Sequence, residues 1–485
     1  MHEAETLAEG AMPSASGVEG SRSLFVALLA IIVGTFMAIL DATVVNVAVP
    51  TIERAFNTDL QVIQWMITGY MLAQAAVIPL AGWLSDRFGA KRVYIVALVL
   101  FTMGSFLCAL AASAQALIAF RVLQGLGGGM LWPIGMTFIY RLAPPERRGQ
   151  VMSAFTVPSL LAPALGPVMS GWIVQYARWE LIFLINLPVG VVAVLLGLRA
   201  LPNLPAQGRV GRLDVPGMLL GPLGFAALSF GISESTVAGW SGASTLGGIG
   251  LGVLLLVAFT LRELSTLEPL LDLRVFRAGE FTRTMVTSWV GQTALFGTLF
   301  LVPIFLQQVR GLGPFDTGVA TLPQAISSAI LTLFSGRLFD RFGVKVPTIL
   351  GLAAIVGTFA LLSRLTVGTT VLDLVLPLAL WGVGLGLMLT PLNTHLLNSA
   401  PRNLLSRVTS LSSATSSVVG SLGVATFSTI LQAQIMVRSA LLGPGGTLGA
   451  MAGAYADTFT VAGVIALACI PLALTLNRKI DRTGS

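Results

Sequence analysis

Long apolar runs, each broken by charged or Pro/Gly-rich turns, divide the chain into segments of similar length. A helix that crosses a hydrocarbon core of about 30 Å needs ~20 predominantly apolar residues. The pattern predicts fourteen spanning helices: 24–49, 62–84, 93–114, 115–140, 151–175, 180–200, 214–234, 246–264, 281–307, 317–338, 345–365, 371–397, 408–433 and 457–477. No soluble domain is left over, so the predicted fold class is an all-α polytopic membrane protein.

Composition agrees with this prediction and excludes other classes. Of the 485 residues, 55% are hydrophobic and 10% are charged, whereas soluble domains carry about 25% charged residues. The formal charge of +7 is spread singly over short loops, which does not suggest a nucleic-acid partner. The two cysteines lie in apolar segments, so we expect no disulfide framework, metal site or cofactor.

Positive charge is distributed unequally between the loops on the two sides. If the N-terminus is cytoplasmic, 22 of the 28 Lys and Arg residues fall in inner segments, 5 fall in outer segments, and Arg121 alone lies inside a span. Such a bias predicts that both termini are cytoplasmic. Residues 1–22 lack a basic region and a cleavage site ahead of the first apolar run, so we interpret them as a disordered cytoplasmic tail rather than a signal peptide.

An internal repeat divides the chain into two halves. The segment Gly82–Lys91 recurs 254 residues later as Gly336–Lys345, with seven of its ten residue types kept. A glycine pattern recurs at a similar offset and pairs Gly125, Gly127 and Gly129 with Gly382, Gly384 and Gly386. Parallel halves of this kind rock about a central site. The predicted domains are the tail 1–22, a six-helix bundle 23–200, a linker with two helices 201–280, and a six-helix bundle 281–485 with a cytoplasmic C-terminus.

The first predicted helix contains one ionised residue, Asp41, near its middle. A carboxylate at that depth costs about 2.5–3.5 kcal/mol on insertion scales. Such residues usually face the interior of a bundle and mark a proton or substrate path. We therefore expect Asp41 to gain and lose a proton.

Six motifs lie in the corresponding helices and in order: Leu40–Pro50 (LDATVVNVAVP), Gln64–Trp65 with Tyr70, Gly82–Lys91, Arg121–Gly125 (RVLQG), Gly166–Gly171 (GPVMSG) and Ile185–Gly190 (INLPVG). Together they resemble the major facilitator superfamily, and the fourteen spans resemble its drug:proton antiporter branch of the EmrB/QacA type. The resemblance implies two six-helix bundles with an inserted two-helix hairpin. It also implies proton-coupled multidrug efflux by alternating access across the plasma membrane of a prokaryote, by a protein that functions as a monomer.

In that fold the first and fourth helices belong to one bundle, which brings Arg121 near Asp41. An arginine stays charged in proteins, so Arg121 can serve as a fixed counter-charge. The hypothesis is that substrate and proton compete for the region around Asp41, with Arg121 setting its affinity. The alternative is a permanent Asp41–Arg121 ion pair that only orients helices.

The repeated loop motif predicts a cytoplasmic gate. Its glycines permit a tight turn, its aspartate can cap a helix or accept from arginine, and its cations face the inner membrane surface. The residues assigned to the gate are Gly82, Asp86, Arg87, Gly89, Lys91, Asp340 and Arg341. The resemblance implies that this network holds the cytoplasmic side closed in the outward-open state. Topology signalling by positive charge alone is the alternative.

The fifth helix carries the antiporter motif residues Gly166, Pro167 and Gly171. Proline removes a backbone hydrogen bond, and glycine allows a bend or a close helix approach. Ala162 and Ser170 stand where the family usually has glycine, which puts the closest packing there in question. The sequence does not separate ordinary packing from a role in rocking.

Charge limits the predicted substrates. We find no second carboxylate in the middle of a span, so a dication would lack a second anchor, and neutral or monocationic lipophilic substrates are expected. One proton moving down ~150 mV releases roughly 3.5 kcal/mol, which supports a gradient of about 300-fold for a neutral solute. Glu234 is a possible helper acid or a plain interfacial residue. His395 is expected to be a packing residue.

Promiscuous sites combine an apolar cavity with few polar groups. The candidate contacts are Asn46, Gln64, Tyr70, Gln124, Trp132, Asn186, Trp289, Gln292, Phe296 and Asn393. For any one of these residues, a packing role is the alternative.

The sequence leaves two alternative functions. The first keeps the fold and exports a lipid or an endogenous metabolite. The second is a membrane-embedded enzyme, which would need a carboxylate cluster, a metal set or a nucleophile with its base. The sequence offers two histidines and no such constellation, and it has no phosphate-binding loop for ATP.

Overall fold

The computed structural model describes residues 19–142, 162, 165–203, 214–266, 269, 271, 273–399, 405–442 and 447–477. Within these ranges the regular structure is entirely helical. The main helices are α1 (Glu19–Phe56), α2 (Trp65–Phe88), α3 (Ala90–Ala109), α4 (Ala114–Leu142), α5 (165–176), α6 (Asn186–Ala200), α7 (Val215–Ala238), α8 (Ala243–Ser265), α9 (Gly279–Gln308), α10 (Leu322–Phe342), α11 (Lys345–Leu362), α12 (Val371–Asn398), α13 (Leu405–Leu442) and α14 (Thr447–Ala468).

Short helical turns adjoin several of these helices. They are Leu60–Ile63 before α2, Leu181–Leu184 before α6, the 3-10 turn Leu273–Arg277 before α9, Pro314–Ala320 before α10, and Ile470–Leu474 after α14. Thirteen helices in the described part of the chain are long and apolar enough to cross a membrane. The fourteenth predicted span is α5, and much of it falls outside the described residues. The predicted all-α membrane fold is confirmed.

Helix packing follows the predicted halves. In the first bundle α4 packs against α2, α3 and α1, while α6 packs against α1 and α3. In the second bundle α12 packs against α10 and α11, and α13 and α14 pack against each other and against α9 and α11 respectively. The two bundles meet along α2 and α13 and along α1 and α9. The domain boundaries given above stay a prediction.

The sequence repeat is also a repeat of backbone conformation. Helix α2 ends at Phe88 and is followed by Gly89 with φ of 88°. Helix α10 ends at Phe342 and is followed by Gly343 with φ of 73°. Residues with a Cβ rarely adopt such positive φ angles. The two glycines therefore have the same structural reason: each allows the chain to turn sharply into the next helix.

The inserted hairpin of α7 and α8 lies across one seam between the bundles. Helix α7 packs against both α2 and α13. The Gln61 and Gln64 amides donate to the carbonyl and hydroxyl of Ser233 at 2.6 and 3.0 Å, and Thr429 of α13 donates to the Ile232 carbonyl at 3.5 Å. Helix α8 packs mainly on α7, and its large apolar side chains are exposed, among them Leu254 at 65%. In a bilayer this face contacts lipid.

Candidate functional site

Asp41 lies inside the first bundle, in the apolar middle of α1. Only 2% of its surface is exposed. Its Oδ2 accepts from the Arg121 guanidinium at 2.5 Å, and its Oδ1 accepts from the amides of Gln124 at 2.9 Å and Asn186 at 2.8 Å. The carboxylate is therefore held from α4 and α6 at once, and both of its oxygens are satisfied.

Arg121 occupies the centre of the same network. Its Nη1 is shared between Asp41 and the side-chain oxygen of Gln124, which lies at 2.7 Å, and its Nε donates to the Met66 carbonyl at 3.3 Å. The guanidinium carbon lies 4.0 Å from the centre of the Tyr70 ring and 5.7 Å from that of Phe183. Buried cations need such compensation because unpaired charges are costly in an apolar interior. No other Lys or Arg side chain that the structure describes is buried.

The network extends to a residue that sequence analysis missed. The Asn186 amide also donates to the Ser105 hydroxyl at 3.0 Å, and that hydroxyl donates to the Phe183 carbonyl at 2.9 Å. Ser105 therefore fixes Asn186 from α3, and it is fully buried. The available signal was a small polar residue in the middle of an apolar run, which is weak because serine is common at membrane helix contacts.

In this arrangement a change of charge at Asp41 would change its hydrogen bonds. Ionised Asp41 accepts three hydrogen bonds and neutralises Arg121. Protonation converts one oxygen from an acceptor to a donor and removes the negative charge. Arg121 would then keep the Gln124 and Met66 oxygens and the two rings, so part of its stabilisation remains.

Three of the predicted cavity residues belong to this network rather than to a separate surface. Gln124 and Asn186 bind Asp41 directly, and Tyr70 lies under the guanidinium. The buried Tyr70 hydroxyl has no hydrogen-bond partner among the described residues. Gln64 instead binds the hairpin, and the Asn46 amide donates to the carbonyls of its own helix at residues 42 and 43.

The other candidates lie outside the Asp41 network. On α9, Trp289 has a buried indole nitrogen without a partner among the described residues, and Gln292 reaches Ser416 of α13 at 3.5 Å. Phe296 packs against the backbone at Gly420. Trp132 is half-buried and Asn393 is exposed.

The predicted gate motif lies at the ends of α2 and α10. Gly82 and Gly336 face open space. Arg87, Asp340 and Arg341 are exposed, whereas Asp86, Gly89 and Lys91 are half-buried. Arg341 lies with its guanidinium 5.2 Å from the ring of the neighbouring Phe342.

The antiporter motif packs closely in two directions. A methyl group at Gly166 would overlap the Thr43 hydroxyl of α1, and one at Gly171 would overlap the Pro314 carbonyl of the second bundle. The carbonyl of Pro167 itself lies against Gly318. The motif therefore packs tightly despite the substituted positions Ala162 and Ser170, which are themselves fully buried.

The possible helper acid Glu234 and the expected packing residue His395 both have defined positions. Glu234 is half-buried near the end of α7. His395 is buried, and its Nε2 lies 2.8 Å from Glu280 Oε1, which also accepts from the Asn477 backbone at 2.8 Å. The histidine thus links α12 to the start of α9, and Glu280 in turn links α9 to the end of the described chain.

Comparison with known families agrees with the fold. The profile described as Major Facilitator Superfamily matches residues 31–424. The chain belongs to the major facilitator superfamily, and it is a multi-pass membrane protein of a transporter family. The resemblance stated from the motifs is thereby confirmed.

Several named proteins are similar over most of the chain. A multidrug resistance protein B homolog from Mycobacterium tuberculosis is 36% identical over 410 residues, which is 83% of this chain and 75% of that protein. A putative multidrug resistance protein, MdtD, from Escherichia coli O1:K1 / APEC is 33% identical over 81% of this chain and 83% of its own length. Uncharacterized MFS-type transporter YcnB of Bacillus subtilis is 31% identical over 94% of this chain and 96% of its own length.

Solved structures share the fold at low sequence identity. An auto-inhibited POT family peptide transporter superposes with a TM-score of 0.65 at 15% identity, covering 95% of this chain and 98% of that one. A D-xylose-proton symporter superposes with a TM-score of 0.63 at 15% identity, covering 91% and 97%. These likenesses show the fold alone.

Proposed function

We propose that this protein is a proton-coupled antiporter that exports lipophilic compounds by alternating access. The observation that carries the proposal is the buried Asp41–Arg121 network. A carboxylate that is 2% exposed within a membrane bundle is costly to keep. Its cation and amide partners come from α4 and α6, and Ser105 of α3 holds one of those amides in turn. Protonation of Asp41 would therefore alter contacts across the bundle.

The names of the relatives support an efflux role. Two of them are named as multidrug resistance proteins and are at least 33% identical over more than four fifths of this chain. We assign neutral or monocationic lipophilic compounds as substrates because the first bundle offers one buried acid, and a dication would need a second. The proton is the coupling ion because a lone carboxylate with an arginine counter-charge suits proton exchange.

The orientation is also part of the proposal. The excess of Lys and Arg in the inner segments supports cytoplasmic N- and C-termini in the plasma membrane of a prokaryote. The antiporter motif packs one face of α5 on α1 and the other on the second bundle. Rocking of the bundles would therefore move α5 directly, and the loop motifs after α2 and α10 would latch the cytoplasmic side. We infer that a monomer suffices.

The test is substrate-dependent proton release from the purified protein in detergent, followed with a pH dye in weak buffer. The wild-type protein is expected to release protons when a monocationic dye binds, whereas Asp41→Asn should release none. Asp457→Asn is the matched control because Asp457 also pairs with an arginine, Arg438 at 2.7 Å, but both side chains are about one third exposed.

Transport in vesicles completes the test. Efflux driven by a pH gradient should be lost in Asp41→Asn and kept in Asp457→Asn. Intact coupled efflux in Asp41→Asn would overturn the assignment of Asp41 as the coupling acid, and wild-type efflux that does not respond to a pH gradient would overturn proton antiport. Failure of every dye to release protons, with a changed membrane lipid profile in a deletion strain, would indicate a lipid or an endogenous metabolite as the cargo instead.

A further inference from the structure

The two bundles are joined by side chains where α1 and α9 end. The Gln307 amide of α9 donates to the Val47 carbonyl of α1 at 2.8 Å, and the Gln308 amide donates to Glu53 Oε2 at 3.1 Å. We call this junction the outer seam, because the predicted topology places it on the external side. In this structure the outer seam is closed, and a carboxylate lies within it.

Glu53 occupies a position that sequence analysis excluded from the membrane. The first span was predicted to end at residue 49, before Pro50. The structure continues α1 through Pro50 to Phe56, so the helix carries Glu53 to the second bundle. Glu53 is half-buried there, more than two helical turns beyond Asp41 on the same helix.

The groups around Glu53 favour its neutral form when the seam is closed. Closure removes part of the carboxylate from water, and the nearby Asp59 adds negative charge. Arg54 opposes this effect, although its guanidinium is turned back to the Pro50 carbonyl at 3.0 Å and the Thr51 hydroxyl at 3.4 Å. Helix α9 presents the Gln308 amide, which can donate to a carboxylate or, after rotation, accept from a carboxylic acid.

The remaining neighbour comes from α14. The hydroxyl of Tyr455 is buried near Glu53 and has no hydrogen-bond partner among the described residues, while its ring packs on Phe305 at 5.3 Å between centroids. The buried side-chain oxygen of Gln307 also lacks a partner there. The closed outer seam therefore contains, near the Glu53 carboxyl group, polar atoms that can form further hydrogen bonds.

We infer that Glu53 is a second proton-binding group, which takes up a proton as the outer seam closes and releases it as the seam opens to water. A group that is neutral when buried and ionised when hydrated links its own protonation to closure of the seam. External acid therefore favours the closed seam. The place of this step in the transport cycle rests on the proposed function. After the substrate has left to the outside, a proton from outside binds Glu53, the outer seam closes, and the transporter returns to the inward-facing state.

The test measures the seam directly in the full-length protein in lipid nanodiscs. Spin labels on Ala55→Cys and Gly368→Cys, both at exposed positions on opposite bundles, report the distance across the seam. The native Cys108 and Cys469 are buried, and the unsubstituted protein serves as the labelling blank. We expect the short-distance population to dominate at acidic pH and to give way to a longer one as the pH rises.

Three variants decide the outcome. Glu53→Gln should hold the seam closed at every pH, and Glu53→Ala should also remove the pH response should the first variant express poorly. Asp59→Asn is the matched control: it removes a nearby exposed charge, so the response should persist with its midpoint moved to lower pH. A pH response that survives unchanged in both Glu53 variants would overturn the inference.

The proposed function can fail separately from this inference. Wild-type efflux that does not respond to a pH gradient would refute the antiport proposal, and retained proton-driven efflux in Asp41→Asn would refute Asp41 as its coupling acid. Neither result changes the distance measurement. An unchanged pH response in the Glu53 variants would refute the seam inference while leaving Asp41 as the coupling acid.

Discussion

Replacing Asp41 by asparagine separates a structural ion pair from a functional one. The substitution keeps the size of the side chain but removes the negative charge beside Arg121. It also places an amide NH₂ where one carboxylate oxygen accepts hydrogen bonds. Wherever that NH₂ lies, it faces the donor of Arg121 or the donors of Gln124 and Asn186. The variant therefore loses charge neutralisation and gains a donor–donor conflict.

The magnitude follows from what Arg121 keeps. Removing one partner of a buried ion pair costs about 3–5 kcal/mol. The ring of Tyr70 at 4.0 Å and the Gln124 and Met66 oxygens remain, and a desolvated cation–π contact contributes up to about 2 kcal/mol. We expect Asp41→Asn to lower the free energy of unfolding by about 1–3 kcal/mol, taking the difference between these two contributions.

The paired variant Asp41→Asn/Arg121→Gln supplies the comparison. It leaves no buried charge in this network, so most of the lost free energy of unfolding should return. Unfolding in mixed micelles, followed by tryptophan fluorescence, measures all three proteins. Vesicle efflux should stay absent in the paired variant, because the proton-binding group is gone. Recovery of both stability and coupled efflux would refute the coupling role and leave an ion pair that only orients helices.

Three further outcomes follow from close contacts. Gly166→Ala should lower the yield of folded protein in a size-exclusion assay, and adding Thr43→Ala should restore part of it; full yield of the single variant would contradict the overlap with α1. Gly89→Ala should destabilise the protein by about 1 kcal/mol because its φ is positive, whereas Gly82→Ala, which faces open space, should leave the melting temperature unchanged. Ser233→Ala removes the acceptor of a buried glutamine amide and should lower the free energy of unfolding by about 1–3 kcal/mol. An unchanged free energy of unfolding would argue against a hairpin held at the junction of α2 and α13.

The residues around Asp41 show how far sequence reasoning reached. Gln124, Asn186 and Tyr70 were singled out as polar or aromatic residues in apolar helices, and all three lie in the Asp41–Arg121 network. Their assigned role as cavity contacts stays a prediction. What the pattern could not supply was the partner of each side chain, because hydrogen bonds across helices depend on how the helices rotate against each other.

Glu53 illustrates the opposite case. The first span was predicted to end at residue 49, just before Pro50, and proline removes a helical hydrogen bond. A helix tolerates that loss when its neighbours support it, and α1 continues to Phe56. Only the packed structure brings Glu53 to Gln308 of the other bundle.

Hydropathy alone determined that this chain crosses a membrane many times, because each apolar run must match the thickness of the hydrocarbon core. The repeated loop motif determined the two halves, and the single mid-span acid indicated the site. Tertiary structure decided which apolar faces are buried and which meet lipid. The sequence could not, since a protein interior and a bilayer are both apolar and select the same side chains. For this reason the sequence does not distinguish the lipid-facing leucines of α8 from buried leucines. The position of the hairpin at the junction of α2 and α13 likewise follows only from the tertiary structure.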